Sequence, residues 1–143
     1  MDQRLSLVTL GVRDLAAARS FYEEGLGWKA TSAVEGKVVF YQMNGMIIGL
    51  FGRDDLVKDG NFTDSGAGFS GITLAYNARD EAEVDAVMVQ AEKAGAVIQK
   101  PAEKVFWGGY SGYFCDLDGH PWEVAYNPFW NITEDGQMVI PQD

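Results

Sequence analysis

Apolar and polar residues alternate from Leu5 to Val12. Val8, Leu10 and Val12 fall on one face, and Leu7, Thr9 and Gly11 on the other. A period of two predicts a strand with one buried side. Asp14 then stands where an N-cap belongs, and Leu15, Ala18, Phe21 and Tyr22 recur at spacings of three and four. That pattern predicts a helix over 15–24, closed by Gly25 and Gly27. Strands are expected at Trp28–Val34, Lys37–Met43 and Met46–Phe51. Asn44-Gly45 should form a type I′ hairpin turn. Residues 52–69, GRDDLVKDGNFTDSGAGF, are polar and glycine-rich and read as a linker or long loop.

The pattern then restarts. A strand is expected over Ser70–Tyr76, and Asp80 or a near neighbour should cap a helix over 81–93 that ends at Gly95. Val84, Val87, Met88 and Ala91 form its apolar stripe, read as core. Ala96–Gln99 is a strand edge that Pro101 should end. Two further strands, Tyr110–Asp116 and Pro121–Tyr126, flank a hairpin signal at Asp118-Gly119. Residues 127–143 form a tail, with Phe129 and Trp130 expected to pack back on the body.

The two halves align with one another. Thr9-Leu10 matches Thr73-Leu74, Arg13-Asp14 matches Arg79-Asp80, and Gly27 matches Gly95. Phe40 matches Phe114, Asn44-Gly45 matches Asp118-Gly119, and Gly49-Leu50 matches Glu123-Val124. Each copy reads strand, helix, three strands. An α+β domain of two βαβββ modules is expected, with paired sheets making an eight-stranded surface around a cleft. The modules take residues 4–52 and 70–126, the linker 53–69 and the tail 127–143.

Composition narrows the function classes. The 143 residues suit one domain, and 47% hydrophobic content suits a packed core. No apolar run is long enough to span a membrane. The formal net charge of −10 argues against binding nucleic acid through its phosphates. It favours a cationic or neutral ligand. One cysteine, Cys115, permits no internal disulfide and fits a reducing, cytoplasmic setting. The N-terminus has no secretion-signal pattern, so Asn131-Ile132-Thr133 reads as a chance glycosylation match.

The candidate chemistry sits in Phe106–Tyr126, FWGGYSGYFCDLDGHPWEVAY. Trp122, Val124 and Tyr126 share one strand face. Glu123 shares the other with Ala125. This strand, D-x-D-G-H and apolar-Glu-apolar run resembles the last hairpin of the glyoxalase/bleomycin-resistance/extradiol-dioxygenase (vicinal oxygen chelate) superfamily. TLGVRDLAAARSFYEEGLGW resembles its first module. The resemblance covers residues 5–126 and implies an open, U-shaped barrel around a ligand site.

The resemblance also implies where metal ligands would stand: Leu7 and Gly71 (Ser70 or Ile72 in a shifted register) in the first strands, Gly49 and Glu123 in the last. Only Glu123 is a ligand-type residue. Vicinal-oxygen chemistry asks for about three O or N ligands, so no cofactor is expected and a divalent metal is disfavoured. His120, the sole histidine, reads as a turn residue. The expected cleft is lined by Trp107, Tyr110 and Phe114 from the second module and Phe40, Ile47 and Phe51 from the first. Leu7 stands beside them, and Thr9 and Thr73 give small polar contacts. Whether Tyr113 or Phe114 faces the cleft depends on the number of loop residues in 116–120.

Glu123 could serve as a general base, as the counter-charge for a cation, or as a surface residue. Three readings of function follow. The chain is a metal-independent small-molecule-binding protein, a lyase or isomerase acting on a small carbonyl or oxygenated compound, or an interaction scaffold. A homodimer is expected in each case.

Overall fold

The computed structural model describes residues 1, 3–66 and 68–142. The fold is α+β, with two compact units, Met1–Ser70 and Gly71–Asp143, each built around a four-stranded mixed sheet.

In the first unit β1 (Leu7–Val12) runs parallel to β4 (Ile47–Gly52). β4 pairs antiparallel with β3 (Val38–Gln42), and β3 with β2 (Ser32–Val34). Helix α1 (Leu15–Ser20) starts where the sequence places its cap. The Asp14 carboxylate accepts from the Ala17 N–H at 3.0 Å. The helix continues as one π-helical turn, Phe21–Gly25. Leu10, Val12, Val39, Tyr41, Ile48 and Leu50 are buried, as are Ala18, Phe21 and Tyr22 of the helix. Each large apolar side chain taken from water contributes about 1.5–3 kcal/mol. Trp28 lies outside the strand expected for it. Its ring centroid is 4.7 Å from that of Tyr22 and 5.3 Å from that of Tyr41. The Tyr41 hydroxyl and Arg19 Nε both donate to Glu23 Oε1, at 3.0 and 2.7 Å. The Tyr41 hydrogen bond thus ties the π turn to the sheet, while the Arg19–Glu23 ion pair lies within the helix.

The expected linker contains a helix, α2 (Arg53–Gly60). It has no fully buried residue, and Leu56 and Val57 are its only apolar side chains, too few to show a period. Its ends are nonetheless marked. Asp54 and Asp55 lie in the first turn, Lys58 in the last, and Asn61 closes it at φ +54°. Arg53 holds the following loop by a bidentate pair to Asp64, at 2.6 and 2.7 Å.

In the second unit β5 (Leu74–Ala78) runs parallel to β8 (Pro121–Tyr126). β8 pairs antiparallel with β7 (Tyr110–Cys115), and β7 with β6 (Val97–Lys104). Helix α3 (Glu81–Ala94) is capped by Asp80, whose carboxylate accepts from the Glu83 N–H at 2.7 Å. It ends at Gly95 with φ +111°. Pro101 does not end β6. It sits inside an edge strand with shifted register on both sides, where its missing N–H costs no ladder bond. Val84, Met88 and Ala91 of α3 are buried, as are Phe114, Trp122 and Val124.

The tail folds into a short antiparallel pair, β9 (Asn131–Ile132) and β10 (Met138–Val139). Phe129 and Trp130 are 63% and 41% exposed rather than packed away. No helix among the described residues is long and apolar enough to cross a membrane.

The first hairpin differs from expectation, and the second forms where it was expected. Gly45 has φ +80°, while Asn44 is not among the positive-φ residues, so the first turn is not type I′. In the second, the Gly119 N–H donates to the Asp116 carbonyl at 3.1 Å, and Gly119 has φ +82°. The buried Asp116 carboxylate accepts from the N–H groups of Asp118 and His120, both at 2.9 Å. Cys115 pairs with Pro121, and Leu117, Asp118 and Gly119 form the loop proper. That loop length fixes the parity of the hairpin.

Candidate functional site

With the parity fixed, Glu123 stands directly across from Tyr113. The Tyr113 hydroxyl donates to Glu123 Oε2 at 3.0 Å. Burial pushes the phenol pKa up, and the neighbouring carboxylate pushes it further. On the same face of β8 stands Ala125, and Ala75 lies in register with Glu123 on β5. A carboxylate bonded to a phenol between two alanines can accept from a ligand's donor or offset a positive charge. The Cys115 thiol, also of this parity, is half-buried, and burial raises its pKa.

Glu123 is therefore where the sequence places it, but three residues expected beside it are not. Phe114 is 3% exposed and stacks on Trp122, centroids 6.2 Å apart, on the α3-covered side. Tyr110 shares that parity, and its hydroxyl donates to Asp85 Oδ1 of α3 at 2.6 Å. Both alternate away from Glu123 because the hairpin loop has three residues. Trp107 lies in an exposed turn closed by the Val105 N–H on the Gly109 carbonyl at 3.0 Å. Its ring sits over Gly109, 2.0 Å from where a Cβ would stand. Thr73 is exposed and precedes β5.

The first unit collects its five candidates on one sheet face. Leu7 pairs with Ile47, Thr9 with Gly49, and Gly49 with Phe40, while Phe51 follows two residues on. The Phe40 ring lies 3.1 Å from where a Gly49 Cβ would be. Thus an aromatic ring occupies space that any side chain at 49 would need. At the far end of this face, Gly11 admits α2. Arg53 Cα and Leu56 Cδ2 both stand 3.4 Å from where its Cβ would be.

Pairing also corrects the internal repeat. Thr9 is in register with Gly49 and Ala75 with Glu123. Asp14 and Asp80 are matching caps. Thr9 therefore corresponds to Ala75, and Leu7 to Thr73. The Thr-Leu pairs at 9 and 73 align by letter but not by position. Phe40 corresponds to Tyr113 and not to Phe114, since each faces the matching position of the last strand.

The four positions at which the resemblance implies metal ligands become Leu7, Thr73, Gly49 and Glu123, with Thr73 replacing Gly71. One carboxylate and one hydroxyl do not make a divalent-metal donor set. Among the described residues, no three His, Cys, Asp or Glu side chains are grouped so that they could hold a metal ion. His120 lies just after the hairpin loop and uses its backbone N–H on Asp116, as a turn residue does.

Two βαβββ units with a carboxylate in the last strand define a class, and the comparisons bear it out. The family model for the Glyoxalase/Bleomycin resistance protein/Dioxygenase superfamily matches residues 4–124. The chain belongs to this superfamily. A glyoxalase-related enzyme from Fulvimarina pelagi is 36% identical, with a TM-score of 0.91 over 99% of this chain and 100% of its own. A protein of unknown function from Agrobacterium tumefaciens is 26% identical, with a TM-score of 0.68 over 89% of this chain and 96% of its own. A lactoylglutathione lyase from the same organism has the same fold at 24% identity, with a TM-score of 0.67 over 92% and 98% of the two chains. No curated protein matches the chain.

Proposed function

We propose that this chain binds a small organic molecule without the superfamily's divalent metal, and that Glu123 is the polar anchor. The observation carrying this reading is the Tyr113–Glu123 pair. The phenol holds one carboxylate oxygen at 3.0 Å, and the half-buried Glu123 has the exposed Ala75 in register beside it. A carboxylate so fixed suits a ligand with a positive or donor group. The acidic balance of the chain, −10, favours approach of a cation. The replacement of three of four ligand positions by Leu, Thr and Gly supports the metal-free part of the reading.

Benzyltrimethylammonium and benzylamine are suitable probes, with benzyl alcohol as the neutral comparator. Binding of the cations should raise Tm. Glu123→Gln should remove the shift, and Tyr113→Phe should weaken it. Cation-induced shifts that survive Glu123→Gln would sink the proposal.

A second reading has one observation in its favour: the 36% identical relative is described as an enzyme. In that case Glu123 would remove a proton α to a carbonyl. Hydroxyacetone in D2O gives a direct test. Catalysed deuterium uptake that Glu123→Gln abolishes would favour the enzyme. Uptake at the buffer rate would leave the binding reading standing.

A further inference from the structure

The second unit has a cavity at the opposite end of its chemistry, away from the Tyr113–Glu123 pair in both register and composition. β5 and β8 finish side by side, with Ala78 in register with Tyr126. Beyond Tyr126 the chain turns. Asn127 Oδ1 accepts from the Phe129 N–H at 2.9 Å, and the chain returns as β9. Arg79, one residue past β5, closes the far wall. Its Nη1 and Nη2 donate to the carbonyls of Ile132 and Thr133, at 3.3 and 2.8 Å. The recess is open on one side and holds about 250 Å³, with Arg79, Tyr126, Asn127, Trp130 and Asn131 in its lining.

We infer that this recess is a binding site for a small planar monocarboxylate. The chemistry of the wall selects that class. Among the described residues no Asp or Glu lines the recess, and the one charge in its lining is the Arg79 guanidinium. The two carbonyl contacts use only two of the five N–H donors of that group and fix its plane. An arginine with a fixed plane binds a carboxylate by charge-assisted hydrogen bonds. Asn127 already spends its amide oxygen on Phe129, so its NH2 end is the end left to offer. Trp130 is 41% exposed and borders the recess with Tyr126, but most of the exposed lining is polar, so the carboxylate carries the recognition. One cation suits a monoanion rather than a phosphate dianion. The volume lies below the roughly 300–1,000 Å³ of drug-sized pockets, so a single ring fits better than two.

Benzoate is the probe, with benzamide as its neutral isostere, titrated into isotopically labelled full-length protein. Benzoate should produce saturable shifts at the Trp130 indole and the Asn127 and Asn131 amides. It should bind about tenfold or more tightly than benzamide. Arg79→Gln should erase that preference. This variant also releases two tail carbonyls, so Trp130→Leu serves as the second arm. It should weaken both compounds alike while leaving the Arg79 contacts in place. Glu123→Gln should leave benzoate binding unchanged, which separates this site from the anchor proposed above. Equal affinity for benzoate and benzamide would overturn the inference. So would the lack of any saturable shift, or shifts centred on Tyr113.

Discussion

Gly112→Ala tests how tightly β6 lies on β7. The new Cβ would stand 2.8 Å from the Ala102 nitrogen, 2.9 Å from the Lys100 carbonyl oxygen and 3.0 Å from Ala102 Cα. All three are backbone atoms, so no rotamer change relieves the clash. They belong to the irregular stretch of β6 around Pro101, where the register shifts between Lys100 and Glu103. Gly112 is therefore the position that lets a proline-bearing edge strand remain against its neighbour. Ordinary carbon contacts are about 3.5–4.0 Å, so β6 must retreat by several tenths of an ångström. Forced insertions of this kind cost about 1–3 kcal/mol, or a Tm fall of about 3–10 °C for a chain of this size. An edge strand can yield more easily than a central one, which places the expected loss in the lower half of that range. Thermal and urea unfolding would measure it. A Tm within about 1 °C of the parent would show that β6 moves freely, and would refute the reasoning.

Other expectations follow from the ion pairs and the candidate site. The Arg19 guanidinium, aided by the Tyr41 hydroxyl, holds the Glu23 carboxyl below its usual range. A depressed carboxyl stabilises above its unfolded pKa and loses that contribution as pH falls through its folded one. Glu23→Gln should thus lower Tm at neutral pH and flatten the acid limb below about pH 4.5. A parallel acid limb would refute the assignment. The same logic at Asp64, held at about 2 by Arg53 and the Gly66 N–H, predicts that Asp64→Asn speeds amide exchange across residues 53–61 and leaves α3 unchanged. Unchanged exchange in α2 would mean that the pair does not hold the helix. Metal analysis after loading with zinc, nickel, manganese or iron(II) should find no stoichiometric, Glu123-dependent ion. Finding one would restore the metal-dependent reading.

Much of the fold was legible because its signals are local. Asp14 and Asp80 are helix caps by residue type, and the alternation in 7–12 is that of a half-buried strand. What the sequence concealed depends on pairing. Helix α2 has end signals but only two apolar residues, too few to show a period. Pro101 reads as a terminator until its strand is known to be an edge. The choice between Tyr113 and Phe114 turns on one loop residue in 116–120, because a strand's side-chain period is two. The hydrogen bonds to Asp116 make that choice, and no periodicity records them. Counting Asp-x-Asp-Gly as a three-residue loop ending in a left-handed glycine would have pointed to Tyr113.

The register reveals a relation between the modules that letter-by-letter alignment hides. Phe40 faces Gly49 across the last two strands of the first unit, and Tyr113 faces Glu123 across those of the second. These are the same two positions, filled once by an apolar pair and once by a polar one. In the first, the ring covers the space above a glycine. In the second, the ring's hydroxyl reaches a carboxylate. An aromatic residue on the penultimate strand is thus common to both, and the last-strand residue decides whether it packs or hydrogen-bonds. Converting the apolar pair to the polar one needs two changes together. Gly49→Glu alone would drive a side chain into the Phe40 ring, at 3.1 Å already from its Cβ. Phe40→Tyr alone would leave a phenol with no carboxylate opposite. Such coupling predicts non-additive stability for the double variant.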